Sequence, residues 1–116
     1  MIAHDLFELF ASHDVTLVAL EKLYLSTNQK TAMQVAEACG VARLLAAQAG
    51  VPVVEFAPNQ VKLALTGSGS ATKSAVQKMV KQLLDLPRPP RPDDAADALA
   101  LAIAASNISR KFLTHA

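Results

Sequence analysis

The stretch VTLVALEKLYLSTNQKTAMQVAEACGVARLLAAQAGVPVVEFA, residues 15–57, decides the fold class. It opens on Val15–Glu21, a β-branched and apolar run too short for a helix in this setting, which reads as a buried strand ended by Glu21. It closes on VPVVEFA, a second run of the same kind. Between them a long helix is expected from about Thr27 to Gln48, stopped by Gly50. Strand, helix and strand in this order give an α/β fold. Along the helix Ala32, Ala36 and Gly40 recur every fourth residue, a small-residue seam that permits close approach of another helix.

Outward from this unit the pattern is helical. Upstream, HDLFELFASHD places Leu6, Phe7 and Phe10 at the spacing of a short amphipathic helix. Downstream, NQVKLALT reads as a short helix and GSGS as a flexible turn. TKSAVQKMVKQLLDL has the clearest periodicity, with Val76, Met79, Val80, Leu83 and Leu84 on one stripe. Lys73, Gln77 and Lys81, each four apart, lie on another face. The proline-rich segment 87–92 is a stiff connector within a single domain over 1–116, and the last helix begins near Asp93. Two strands are few for a parallel sheet covered by this much helix, so part of the sheet is expected to be missing.

Composition sets the outer limits. A chain of 116 residues is one domain at most, with a modest core. It is 52% apolar with mean hydropathy +0.27, yet no run approaches the roughly 20 apolar residues of a membrane span. The start, MIAHDLFELF, carries acids where a secretion signal would be basic, and the single Cys39 fits a reducing cytoplasm. Cys39 reads as a small buried helix residue, and His4, His13 and His115 as scattered surface residues. Net charge is only +1, but Lys62, Lys73, Lys78 and Lys81 fall between Glu55 and Asp85 with no acid among them. That stretch suits phosphate contact or, more plainly, a solvated helix face.

The last helix opens with a surplus of acids, since DDAADALALAIA puts Asp93, Asp94 and Asp97 within five residues. Asp93 is expected as the N-cap. Asp94 and Asp97, three apart, share a face and repel, which a cation between them would relieve. Mg²⁺ takes one or two carboxylates plus water and phosphate oxygens, and a third carboxylate at a strand end, Glu21, would complete a two-metal site. The alternative is an exposed acidic first turn. GSGSATKS is a near miss to a phosphate-cradling loop, with Gly67, Lys73 and Ser74 in place but Thr72 where a second glycine belongs. A turn into a helix capped by Ser70 or Thr72 fits it better. Tyr24, the only tyrosine, could stack on an unpaired base or be an ordinary, partly covered ring.

Taken together, VALEKLY, NQKTAMQVAEACGVA, VPVVEFAPNQVKLALTGSGSATKSAVQKMV and DDAADALALAIA resemble the RuvC family of Holliday junction resolvases, in the family's order and spacing, from Asp14 to about Asn107. The resemblance implies an RNase H-like fold. It implies a homodimer that cuts two strands of a four-way DNA junction using Mg²⁺, for which Mn²⁺ can substitute, and four acidic residues. Glu21 corresponds to the strand-end glutamate, and Asp94 and Asp97 to the closing D-x-x-D pair. Lys73 matches a lysine near the scissile phosphate, and Lys62 another basic residue of the active-site region. Tyr24 stands where an aromatic residue contacts bases near the crossover, and Lys81 joins Lys62 and Lys73 in the expected DNA contacts. The seam of Ala32, Ala36 and Gly40 falls on the dimer-forming helix. A branch-migration motor is a further partner consistent with the resemblance, and the cytoplasm the expected compartment.

The family also begins with a strand carrying a first catalytic aspartate in a D-P-G type motif, followed by two more strands, and nothing here matches them. The expectation is therefore an RNase H-like fold lacking its first three strands, with three of four carboxylates and impaired cutting. The alternative is a non-catalytic junction-binding or dimerisation remnant.

Overall fold

Local chemistry explains each of the seven elements that a computed structural model of the protein shows over residues 2–22 and 29–108. They are α1 (Ile2–Ser12), β1 (Val18–Glu21), α2 (Gln29–Ala49), β2 (Val53–Phe56), α3 (Pro58–Thr66), α4 (Lys73–Leu83) and α5 (Asp93–Ser106). The chain divides into two compact units, Met1–Glu55 and Phe56–Ala116.

In the first unit β1 pairs with β2. The Val18 N–H donates to the Pro52 carbonyl at 3.0 Å. This bond joins the start of one strand to the start of the other, so the strands run parallel and α2 is their crossover. α2 ends in a Schellman turn. Gly50 takes φ +70°, and the Val51 and Gly50 N–H groups reach back to the carbonyls of Ala46 and Ala47. Inside the unit, Ala42 and Ala46 are the buried small residues of α2, and Arg43 pairs with Glu55 to tie α2 to β2. α1 packs on α2, with Leu6 and Phe10 half-buried. Phe7, expected on the same face, is 59% exposed instead. It sits next to Leu6 in sequence, about 100° around the helix, so the two cannot share one narrow stripe.

The second unit is three helices packed on one another. Leu65, Val76, Val80, Ala100 and Ala104 form its core, flanked by Phe56, Val61, Met79, Leu86, Leu99 and Ile103. Leu83 and Leu84 leave the expected stripe and are exposed. They are the last residue and C-cap of α4, where Asp85 at φ +53° turns the chain and delivers Leu86 to the core in their place.

Caps place the helix ends. α3 starts on Pro58, with the Ala57 N–H bonded to Gln60 Oε1 at 2.6 Å, and stops at Gly67, whose N–H meets the Leu63 carbonyl at φ +82°. The GSGS turn is held by Thr66 Oγ1 and Ser68, which accept from Ser68 N–H and Ser70 N–H. Thr72 caps α4 by accepting from Ala75 N–H at 3.1 Å, and a helix rather than a strand precedes the turn, as a phosphate-cradling loop would not have it. α5 corrects the sequence reading. Its N-cap is Pro92, without a side-chain bond, and Asp93 is the first helical residue. The Pro92 carbonyl accepts from the Ala95 and Ala96 N–H groups at 3.0 and 3.2 Å, so the first helical bonds close on Pro92 and Asp93 lies one residue inside the helix. Among the described residues no helix is long and apolar enough to cross a membrane.

Candidate metal and phosphate site

The first turn of α5 carries Asp93 and Asp94, with Asp97 one turn beyond Asp93, and all three are exposed. Acids are favoured there because the helix N-terminus is the positive end of its dipole. Three within five residues still leave an excess of negative charge. The fold answers it from α4, whose first residue is Lys73. The Lys73 ammonium lies 3.3 Å from Asp93 Oδ2 and 3.9 Å from Asp97 Oδ2. One turn further along α4, Gln77 Nε2 donates to Asp93 Oδ1 at 3.2 Å. Both oxygens of Asp93 are thereby engaged, each by a different residue of α4.

Protonation follows this geometry. The hydrogen bond from Lys73, then its charge, then the Gln77 bond hold the Asp93 carboxyl below its ordinary value. The bond to Asp93, followed by the charge of Asp97, raises the Lys73 ammonium above its ordinary value. Both ions are formed near neutral pH.

Among the described residues no group of three or more His, Cys, Asp or Glu side chains gathers as a metal cage. What the second unit offers is the Asp94 and Asp97 pair. These are hard oxygen donors one helical turn apart, suited to a cation that keeps water and phosphate oxygens in its remaining positions. That an ammonium already approaches Asp97 shows that this turn attracts positive charge. The chemistry of this pair therefore suits part of a site for a hard divalent cation.

Of the other residues singled out in the sequence, Glu21 ends β1 in the first unit and is exposed. Lys62 on α3 and Lys81 in the last turn of α4 are half-buried. Among the described residues neither forms an ion pair. Tyr24 lies outside the described residues, as do Thr27 and His115. On α2, Ala36 and Gly40 are exposed and Ala32 half-buried, and a Cβ added at Gly40 would meet nothing within 4 Å. His4 and His13 are exposed and Cys39 is half-buried. Gln77 and the partnership of Asp93 are what the sequence reading missed. The four-residue step from Lys73 to Gln77 was a usable signal, but nothing local shows that this face of α4 meets α5.

Comparison with known proteins gives a consistent result. The family described as crossover junction endodeoxyribonuclease RuvC matches residues 1–105. A RuvC of Pseudothermotoga lettingae is 52% identical over 98 residues, covering 82% of this chain and 60% of that protein. One of Gloeobacter violaceus is 54% identical over 102 residues, covering 88% and 58%. The chain thus spans less than two thirds of the length of these curated relatives. Among solved structures, Thermus thermophilus RuvC superposes with TM-score 0.85 at 36% identity, covering 97% of this chain and 68% of that one. The same protein in complex with Holliday junction substrate gives 0.84 at 37% identity, covering 90% and 64%.

Proposed function

This chain belongs to the RuvC family of crossover junction endodeoxyribonucleases, with its RNase H-like α/β fold, and from that premise we propose that it serves metal-dependent cutting of four-way DNA junctions in recombination and repair. The observation that carries the reading is Lys73, brought by α4 onto the acidic first turn of α5. A lysine there beside two further carboxylates suits a phosphodiester, whose anionic oxygens need both a cation bound by carboxylates and a nearby ammonium.

In this reading Asp94 and Asp97, with Glu21, hold Mg²⁺, two ions being the expected number. The metal supplies an activated water and charge neutralisation at the phosphate. Lys73 donates to a phosphate oxygen and offsets charge that builds up there. Lys62, Lys81 and Tyr24 extend the DNA contact, the lysines along the backbone and the ring on a base. The exposed Ala36 and Gly40, with Ala32, give α2 the low relief that helix pairing between two copies needs. The two units work as one resolvase domain over 1–116, with 87–92 as its internal connector. The cytoplasm is the compartment this implies, and a branch-migration motor a further partner.

The resemblance calls for four carboxylates, and these 116 residues supply matches for three. Slow or absent cutting is therefore expected of this chain on its own, with junction binding retained. A synthetic four-way junction tests both parts, scored for retardation and for Mg²⁺-dependent nicks. Preference for the junction over linear duplex is expected, and equal affinity for the two would defeat the reading. Rapid nicking would overturn the expected impairment. Binding without nicking at any metal concentration is the result that favours a non-catalytic junction-binding role.

A further inference from the structure

Asp93 has no role in the reading above, and capping does not explain it, because the N-cap of α5 is Pro92 and no side chain caps the helix. Its contacts lead instead to α4. Oδ1 accepts from Gln77 at 3.2 Å and Oδ2 faces the Lys73 ammonium at 3.3 Å. Two donors four residues apart on one helix thus fix the plane of one carboxylate on another. Asp97 is one turn beyond Asp93 on α5, and its Oδ2 is 3.9 Å from the same ammonium, the longer of the two separations. The ammonium rests against Asp93 and only approaches Asp97.

The distinction matters for a lysine that has to stay near a phosphate. A free Lys73 beside three carboxylates would settle on whichever is most available, including those a metal needs. Lysine is a flexible point charge, and an exposed pair alone holds it poorly. Gln77 removes one freedom by fixing the acceptor before the lysine arrives.

We propose that Asp93 is a positioning residue for Lys73. With Gln77 fixing one of its oxygens, Asp93 tethers the ammonium beside Asp97, within reach of a phosphate but leaving the Asp97 oxygens for a cation. This deepens the nuclease reading and rests on it for its purpose, but the tether itself is a property of the metal-free and DNA-free chain.

The test is NMR of the full 116-residue chain with labelled lysine, following the hydrogen exchange and order of the Lys73 ammonium. Asp93→Asn is expected to speed that exchange about three-fold, a factor within the range of an exposed charge pair. Gln77→Met should produce a smaller change of the same sign, and Asp94→Asn, whose charge acts on Lys73 least of the three aspartates, a smaller change than Asp93→Asn. Amide protection along α5, read from the same samples, should stay as in the parent. If Asp93 served only the helix terminus, that protection would fall and Lys73 would not respond, which would overturn the proposal. So would a larger response to Asp97→Asn than to Asp93→Asn. Neither metal nor DNA enters the measurement. A chain that fails to bind junctions can still show the tether, and a chain without the tether can still bind and nick junctions, so the two failures are told apart.

Discussion

Asp85 holds φ at +53° to close α4, the same task that Gly50 performs for α2 at +70°. The bonds are those of a Schellman turn in both places, with Leu86 N–H on the Lys81 carbonyl and Asp85 N–H on that of Gln82. An aspartate tolerates this region better than most residues, but glycine enters it without a Cβ penalty. Asp85→Gly is therefore expected to stabilise the second unit by about 0.5–1 kcal/mol in urea unfolding, and a loss of stability would show that the Asp85 side chain has a role of its own. Gly67→Ala should act in the opposite sense, since a Cβ there meets no neighbour and the cost of about 1 kcal/mol is one of backbone conformation alone. At the acidic turn, the sign of the pH dependence follows from the two ions. The lowered Asp93 carboxyl keeps its pairing above the ordinary aspartate value and loses it as pH falls through the depressed one. The raised Lys73 keeps its pairing below the ordinary lysine value and loses it as pH rises through the elevated one. The pair is thus intact across neutrality. Carboxyl NMR should place the Asp93 midpoint below the usual aspartate range, and Lys73→Met should return it towards that range. A midpoint that Lys73→Met leaves unmoved would remove the lysine as its cause.

Helix α5 presents Ala96, Ala100, Ala104 and Ala105 as its buried residues, and alanines at this step let its backbone come close to α3 and α4. Val80 of α4 is fully buried in the cluster that holds Ala100 and Ala104. Closeness of this kind is intolerant of added volume. Ala100→Leu should cost about 1–3 kcal/mol by overpacking. Val80→Ala should cost about 2 kcal/mol through lost burial and the cavity left behind. Thermal unfolding of the two variants measures both, and a neutral Ala100→Leu would mean that the α5 face is looser than its burial indicates. This packing also matters for the site. The α4 and α5 contact that buries Val80 and Ala100 sets the first turns of both helices beside each other, which is how Lys73 and Gln77 reach Asp93.

At the scale of the molecule, near-neutral charge conceals an uneven distribution. Lys62, Lys73, Lys78 and Lys81 run without an intervening acid between Glu55 and Asp85. If Lys62, Lys73 and Lys81 contact DNA phosphates, junction affinity should fall linearly in a log–log plot against salt, and neutralising any one of them should reduce the slope by about 1. A slope unchanged by all three substitutions would assign these lysines to a solvated face. The family assignment rests on linked sequence blocks, so it was legible before any coordinates. The contact between α4 and α5 was not, because Gln77 and Asp93 are 16 residues apart with a proline-rich connector between them.

The sequence by itself determined what depends on near neighbours along the chain. Strand, helix and strand over residues 15–57 follow from short apolar runs around a long helical stretch, the stop of α2 from Gly50, the start of α4 from a cap at Ser70 or Thr72, and the family from linked blocks such as VALEKLY and DDAADALALAIA. Only the tertiary structure decided which side chains of separate helices meet. It took Leu83 and Leu84 out of the core, made Pro92 rather than Asp93 the N-cap of α5, and gave Asp93 to Lys73 and Gln77. The reason is one of range. Caps and periodicity act within a few residues, where the backbone alone fixes geometry, whereas an ion pair between helices exists only after buried faces elsewhere have brought those helices together.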